Sequence, residues 1–126
     1  MRNDKIENND CNDHVRAVND AMYVLSGKWK ISVLASLCYN GQRRFSDLLG
    51  DVTGISNKML SKELKELEIN KLVSRKIIDS HPIAINYALT DHGKKLTSVI
   101  RSLSEWGTEH RKQIIRNRDE PVNDNE

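Results

Sequence analysis

The chain has 126 residues, with 20 Lys and Arg against 18 Asp and Glu for a net charge of +2, and only 5% aromatic residues, which allows one modest core with tails. No apolar run approaches the roughly 20 residues that span a bilayer, and the acidic start lacks the basic-then-apolar order of a signal peptide, so the chain reads as cytosolic. Charge is unevenly placed, −2 over 1–13, +5 over 28–76 and −3 over 117–126, and a basic centre between acidic ends is the asymmetry expected of a protein that binds nucleic acid or an anionic surface.

In chain order, 1–10 reads as a mobile polar lead. From Asp13, the apolar positions Val15, Val18, Met22 and Leu25 recur at three and four, which predicts a helix ending near Ser26-Gly27. A second helix is expected over 28–39, with Trp29, Val33, Leu34 and Leu37 inward and Asn40-Gly41 as its stop. After an extended link at 42–44, Ser46 is a suitable N-cap for a brief third helix carrying Leu48 and Leu49. A turn at 52–55 leads to Ser56, which caps a fourth helix. At about 100° per residue, Leu60, Leu64 and Leu67 fall on one side of that helix, Lys58, Lys62 and Lys65 almost opposite, and Glu63, Glu66 and Glu68 on the flanks. The period then changes to two. Strands are expected over 72–78 and 83–89 around a turn at 79–82, the second with Ile83, Ile85, Tyr87 and Leu89 on one face. A long last helix starting at Thr90 or Asp91 carries Leu96, Val99, Ile100, Leu103 and Trp106. The remaining 111–126 is the end of that helix and an acidic, frayed tail.

Three helices, the third and fourth joined by a tight turn, and then a hairpin make a mainly α winged helix-turn-helix, in which the fourth helix is placed to enter a major groove. Its lysines would then neutralise phosphates or face the groove, since an ammonium lacks the fork that recognises guanine. Ser56, Asn57 and Ser61 occupy the first turns, with Asn57 the best candidate for reading a base edge. Arg43, Arg44 and Ser46 precede or open the third helix, where backbone phosphates are the expected contact. Arg75, Lys76 and His81 are wing candidates. The stripes Val15, Val18, Met22, Leu25 and Val99, Ile100, Leu103, Trp106 exceed what so small a core can hide. Burial of such residues is worth about 1.5 to 3 kcal/mol each, so a twofold homodimer through the terminal helices is expected.

Cys11 and Cys38 form no C-x-x-C pair, and Cys11-x-x-His14 would need two further ligands from unmarked positions, so neither a metal nor a cofactor is expected. With no nucleophile motif, paired carboxylates or phosphate loop, an enzyme is not expected either. The alternative function is a winged-helix protein-interaction module, which would need the leucines and not the lysines.

The segments LSGKWKISVLASL, GQRRFSDL, GISNKMLSKELKELE, KLVSRKI and YALTDHGKKL, with EWG further on, resemble the HxlR-type family of bacterial winged-helix transcription regulators over 11–110. The resemblance implies a homodimeric, sequence-specific regulator, by default a repressor, on an inverted-repeat operator in double-stranded DNA. It also implies that the terminal helices form the dimer interface and that a cysteine near the start, matched by Cys11, senses a small electrophile or oxidant. The chain departs from the family's pattern at Asn57 and Asn12, where Pro is common, at Asn70-Lys71, where a Gly closes the helix, and at Ile83-Ala84, where the wing has Pro and Arg.

Overall fold

The computed structural model describes residues 4–119. Helix α1 (Asp4–Leu25) leads through a turn into α2 (Lys30–Asn40), the short strand β1 (Arg43–Arg44), α3 (Phe45–Asp51) and α4 (Asn57–Ile69). The hairpin β2 (Val73–Ile78) and β3 (Ala84–Leu89) follows, then α5 (Asp91–Lys94) and α6 (Thr97–Asp119). The sheet is antiparallel in the order β1-β3-β2, with Arg43 opposite Tyr87 and Arg75 also opposite Tyr87 on the other side. This is a winged helix: a helical body, α4 on one flank and the β2–β3 hairpin beside it.

One core joins all of it. Leu25 from α1, Val33, Leu34 and Leu37 from α2, Leu48 from α3 and Leu60, Leu64 and Leu67 from α4 meet Leu72, Val73 and Tyr87 from the hairpin and Ile100 from α6. Tyr87 is the polar-tipped member, and burial pushes its phenol above the usual range.

Several boundaries differ from the sequence expectation. The first helix begins at Asp4 and not at 13, so residues 4–10 of the expected mobile lead are helical, while 1–3 lie outside the described residues. The link at 42–44 contains a strand, because β3 offers it a free edge. Ser46 is not the cap of α3. The helix starts at Phe45, Arg44 holds the cap position, and its N–H donates to Asp47 Oδ2 at 3.1 Å. The long last helix is two helices. The N–H groups of Lys95 and Leu96 bond three residues back, to His92 and Gly93, which tightens the chain between α5 and α6. The helix runs to Asp119, and the acidic tail from 120 on lies outside the described residues.

Glycine is required at one place that the sequence did not mark. A Cβ on Gly93 would collide with the Leu72 carbonyl oxygen. That oxygen accepts the Thr90 N–H at 3.0 Å, while the Thr90 hydroxyl donates to Lys71 O at 2.6 Å and accepts the Gly93 N–H at 2.9 Å. The end of α4, the start of the wing and α5 are thus locked at one joint.

Candidate nucleic-acid interface

Helix α4 owes its start to Ser56, whose Oγ accepts the Met59 N–H at 3.1 Å. It owes its end to a Schellman closure, in which the Leu72 N–H reaches Leu67 O and the Lys71 N–H reaches Glu68 O. The left-handed residue of that closure is Lys71, φ 61, and not Asn70, whose side-chain amide instead donates to Glu66 O at 3.0 Å. Between these ends Leu60, Leu64 and Leu67 are 0–1% exposed. Lys58, Lys62 and Lys65 lie exposed on the opposite face, and Ser56, Asn57 and Ser61 are exposed over the first turns. The expected cationic line is present, backed by a rigid rib of leucines.

Glu63 is a flanking acid that the fold buries. It is 5% exposed, and the Lys30 ammonium stands 2.7 Å from its Oε2 while also meeting Glu66 Oε2. Burial works against the charge on Lys30, but the two carboxylates outweigh it and raise the ammonium above its ordinary range. Glu66 is lowered, chiefly by the contact with Lys30. This cluster escaped the sequence reading although a signal existed. On the helical wheel Glu63 falls ~40° beyond Leu67, at the edge of the apolar face, where burial of an unpaired carboxylate would not be tolerated.

The two arginines before α3 have different situations. The Arg43 guanidinium is bidentate to Asp51, Nε to Oδ2 and Nη2 to Oδ1 at 2.8 Å each, and Ser36 Oγ donates to the same Oδ2 at 2.8 Å. The hydrogen bonds from Arg43 and then Ser36 hold the Asp51 carboxyl below its usual range. Arg43, expected to meet phosphate, is therefore engaged within the chain and braces β1 against α3. Arg44 is exposed, as is Ser46.

On the wing Arg75, Lys76 and His81 are all exposed. Successive strand residues face opposite ways, so Arg75 shares the face of Tyr87 and Lys76 that of Asn86. The two cannot serve one surface together. Ile83 is exposed at the hairpin end, and Ala84 is half-buried.

The terminal helices divide the expected interface residues. Val15, Val18 and Met22 on α1 and Val99, Leu103 and Trp106 on α6 are exposed, whereas Leu25 and Ile100 are 8% and 3% exposed and belong to the chain's own core. Those two are corrected to core positions, because both join the chain's own core cluster, Leu25 beside Leu72 and Leu96 and Ile100 on the helix that packs against α2. Trp106 stacks on His110 with ring centroids 4.8 Å apart. Cys11 is an exposed free thiol on α1, and Cys38 is a half-buried one on α2. His14, one turn from Cys11, has Nε2 3.2 Å from Asp10 Oδ1. Among the described residues no group of three or more His, Cys, Asp or Glu is arranged to hold a metal, and no helix is long and apolar enough to cross a membrane.

The chain is similar to known proteins. The family described as HxlR-like helix-turn-helix matches residues 24–115. The HTH-type transcriptional regulator YvaP of Bacillus subtilis is 37% identical over 89 residues, which is 71% of this chain and 82% of that protein. Among solved structures, the redox regulator HypR in its reduced form superposes with a TM-score of 0.72 at 28% identity, covering 79% of this chain and 98% of that one. The reduced transcriptional regulator YodB from B. subtilis gives 0.62 at 32% identity, covering 70% and 85%.

Proposed function

Because the chain belongs to the HxlR-like helix-turn-helix family and is a transcriptional regulator of that type, we propose that it binds double-stranded DNA sequence-specifically as a homodimer on an inverted repeat and represses transcription there. The observation that carries this reading is the line Lys58, Lys62, Lys65, exposed on a helix whose other face is wholly buried. Folding needs the leucines and leaves the ammonium groups to an outside partner, for which a polyanion is the natural match. Asn57 and Ser61 stand where base edges are met when such a helix enters the major groove by its N-terminal end. Ser56, Arg44, Ser46 and one residue of the Arg75–Lys76 pair, together with His81, add contacts to the phosphate backbone. Arg43 acts at one remove, by holding β1 and α3 in place through Asp51.

Dimerisation is supported by Val15, Val18, Met22, Val99, Leu103 and Trp106, six large apolar side chains left exposed among the described residues. A twofold pair of α4 helices spaced by one turn of DNA, ~34 Å, corresponds to a palindromic site. A response to oxidants or electrophiles through Cys11 is supported by its exposure on α1 beside that apolar stripe. It is supported too by the relatives HypR, solved in oxidised and reduced forms, and YodB, solved after diamide treatment.

Selection from a random duplex pool tests the reading. The expected product is an inverted repeat with half-sites about 10 base pairs apart, bound by two chains and released from wild-type protein, but not from C11S, on diamide treatment. No enriched sequence, or an asymmetric site bound by one chain, contradicts it.

A further inference from the structure

We propose that Lys30 is a positioning residue for DNA recognition: through Glu63 and Glu66 it fixes the rotation of α4 about its own axis, and with it the bases that α4 reads. The inference rests on the regulator reading above. Lys30 opens α2 directly after the turn containing Gly27, φ 103, and it is 7% exposed, its partner Glu63 5%. No donor is aligned for a hydrogen bond to Glu63 Oε2 among the described residues, so the Lys30 charge at 2.7 Å is what compensates that buried oxygen. The neighbouring Trp29 stands beside the turn that precedes the helix. Its Cη2 lies 3.7 Å from the position of a Cβ on Gly54, in the turn that delivers Ser56, and the Lys28 ammonium covers its ring at 4.6 Å from the centroid.

Stability alone does not account for such a cluster, since well-packed apolar residues of equal volume generally match a buried ion pair. Direction does. Three leucines bury nearly the same area if α4 rolls a little on the core, whereas one ammonium meeting two carboxylates a turn apart defines a single azimuth. Rolling the helix by about 20° moves a side-chain tip 5–6 Å from the axis by about 2 Å. Flexible lysines on phosphates absorb such a shift, but a bidentate contact from Asn57 to a base does not. Lys30 therefore governs discrimination between sequences more than affinity for DNA as such.

The test compares full-length wild type with K30M/E63M, which removes one charge of each sign and leaves half-exposed Glu66 free to turn to water. E66Q serves as a second variant because it keeps the buried Lys30–Glu63 pair. Each protein, verified as folded at the assay temperature, is titrated with the selected operator and with a scrambled duplex of equal length. The operator-to-scrambled affinity ratio is expected to fall about tenfold in K30M/E63M, the size of one lost base contact, and by less in E66Q. Affinity for the scrambled duplex stays within about twofold in K30M/E63M, because the number of phosphates met is unchanged. Amide exchange over 57–69, measured without DNA, is expected to quicken in K30M/E63M. An unchanged ratio in both variants overturns the inference, and so does unchanged exchange. Should wild type prefer no sequence, the regulator reading fails, and the exchange rates still decide whether Lys30 holds α4.

Discussion

Helices α4 and α6 are both amphipathic, and they end in opposite conditions. In α4 the apolar stripe is consumed by the chain's own core, Leu60, Leu64 and Leu67 being 0–1% exposed, and what faces outward is cationic. In α6 Ile100 alone of the stripe is buried, while Val99, Leu103 and Trp106 are 45–66% exposed. One element is complete within a single chain and presents charge. The other presents hydrocarbon, and α1 does the same through Val15, Val18 and Met22. The contrast teaches that equal patterning in sequence can be consumed by the chain's own core or be left exposed, and that burial distinguishes the two.

The largest effect that breaks or sharpens this contrast is a paired truncation. Leu64→Ala opens a cavity in a fully buried site and is expected to lower unfolding free energy by about 2–5 kcal/mol at any protein concentration. Leu103→Ala is expected to leave the fold intact and instead weaken self-association, seen as a larger monomer fraction in sedimentation. Equal, concentration-independent losses for the two would erase the distinction. Next, Gly93→Ala forces a methyl group against Leu72 O and should cost about 1–3 kcal/mol in urea unfolding, loosening the joint between α4, the wing and α5. A cost near zero would mean that the joint yields freely. Smaller, and opposite in sign, Lys71→Gly relieves the left-handed conformation at the end of α4 and should stabilise by about 1 kcal/mol.

The smallest effect concerns the corner beneath α4. Asp51 is held below its ordinary pKa by Arg43 and Ser36, so its contribution is complete above about pH 4 and is lost as pH falls through the lowered value. Glu66, lowered by Lys30, adds in the same window. The gap in urea midpoint between wild type and D51N should therefore be open at pH 6 and narrow as pH falls below about 4. A gap independent of pH would show that the ion pair contributes nothing.

Helix α4 and the wing were legible because their signals are local. Ser56 with a leucine repeat fixes α4, and a change of period from about 3.6 to 2 marks the wing. What stayed hidden depends on partners distant in the chain. Lys30 and Glu63 are 33 positions apart, and although Glu63 borders the leucine stripe, nothing local names Lys30 as its partner. Arg43 reads as a free cation until Asp51 folds against it, and Gly93 gives no local hint of the Leu72 carbonyl above it. Leu25 and Ile100 belong to stripes that periodicity cannot divide between core and interface. The helical start at Asp4 was missed because residues 4–10, acidic and rich in Asn, have weak intrinsic helix preference.

The salt dependence of operator binding tests the central reading of α4 most directly. Plotted as log affinity against log salt, wild type is expected to give a steep line, and K58Q/K62Q/K65Q one flatter by roughly 0.9 for each lysine that meets a phosphate. Parallel lines for the two proteins would mean that the exposed row of α4 does not face DNA, and the account would be wrong.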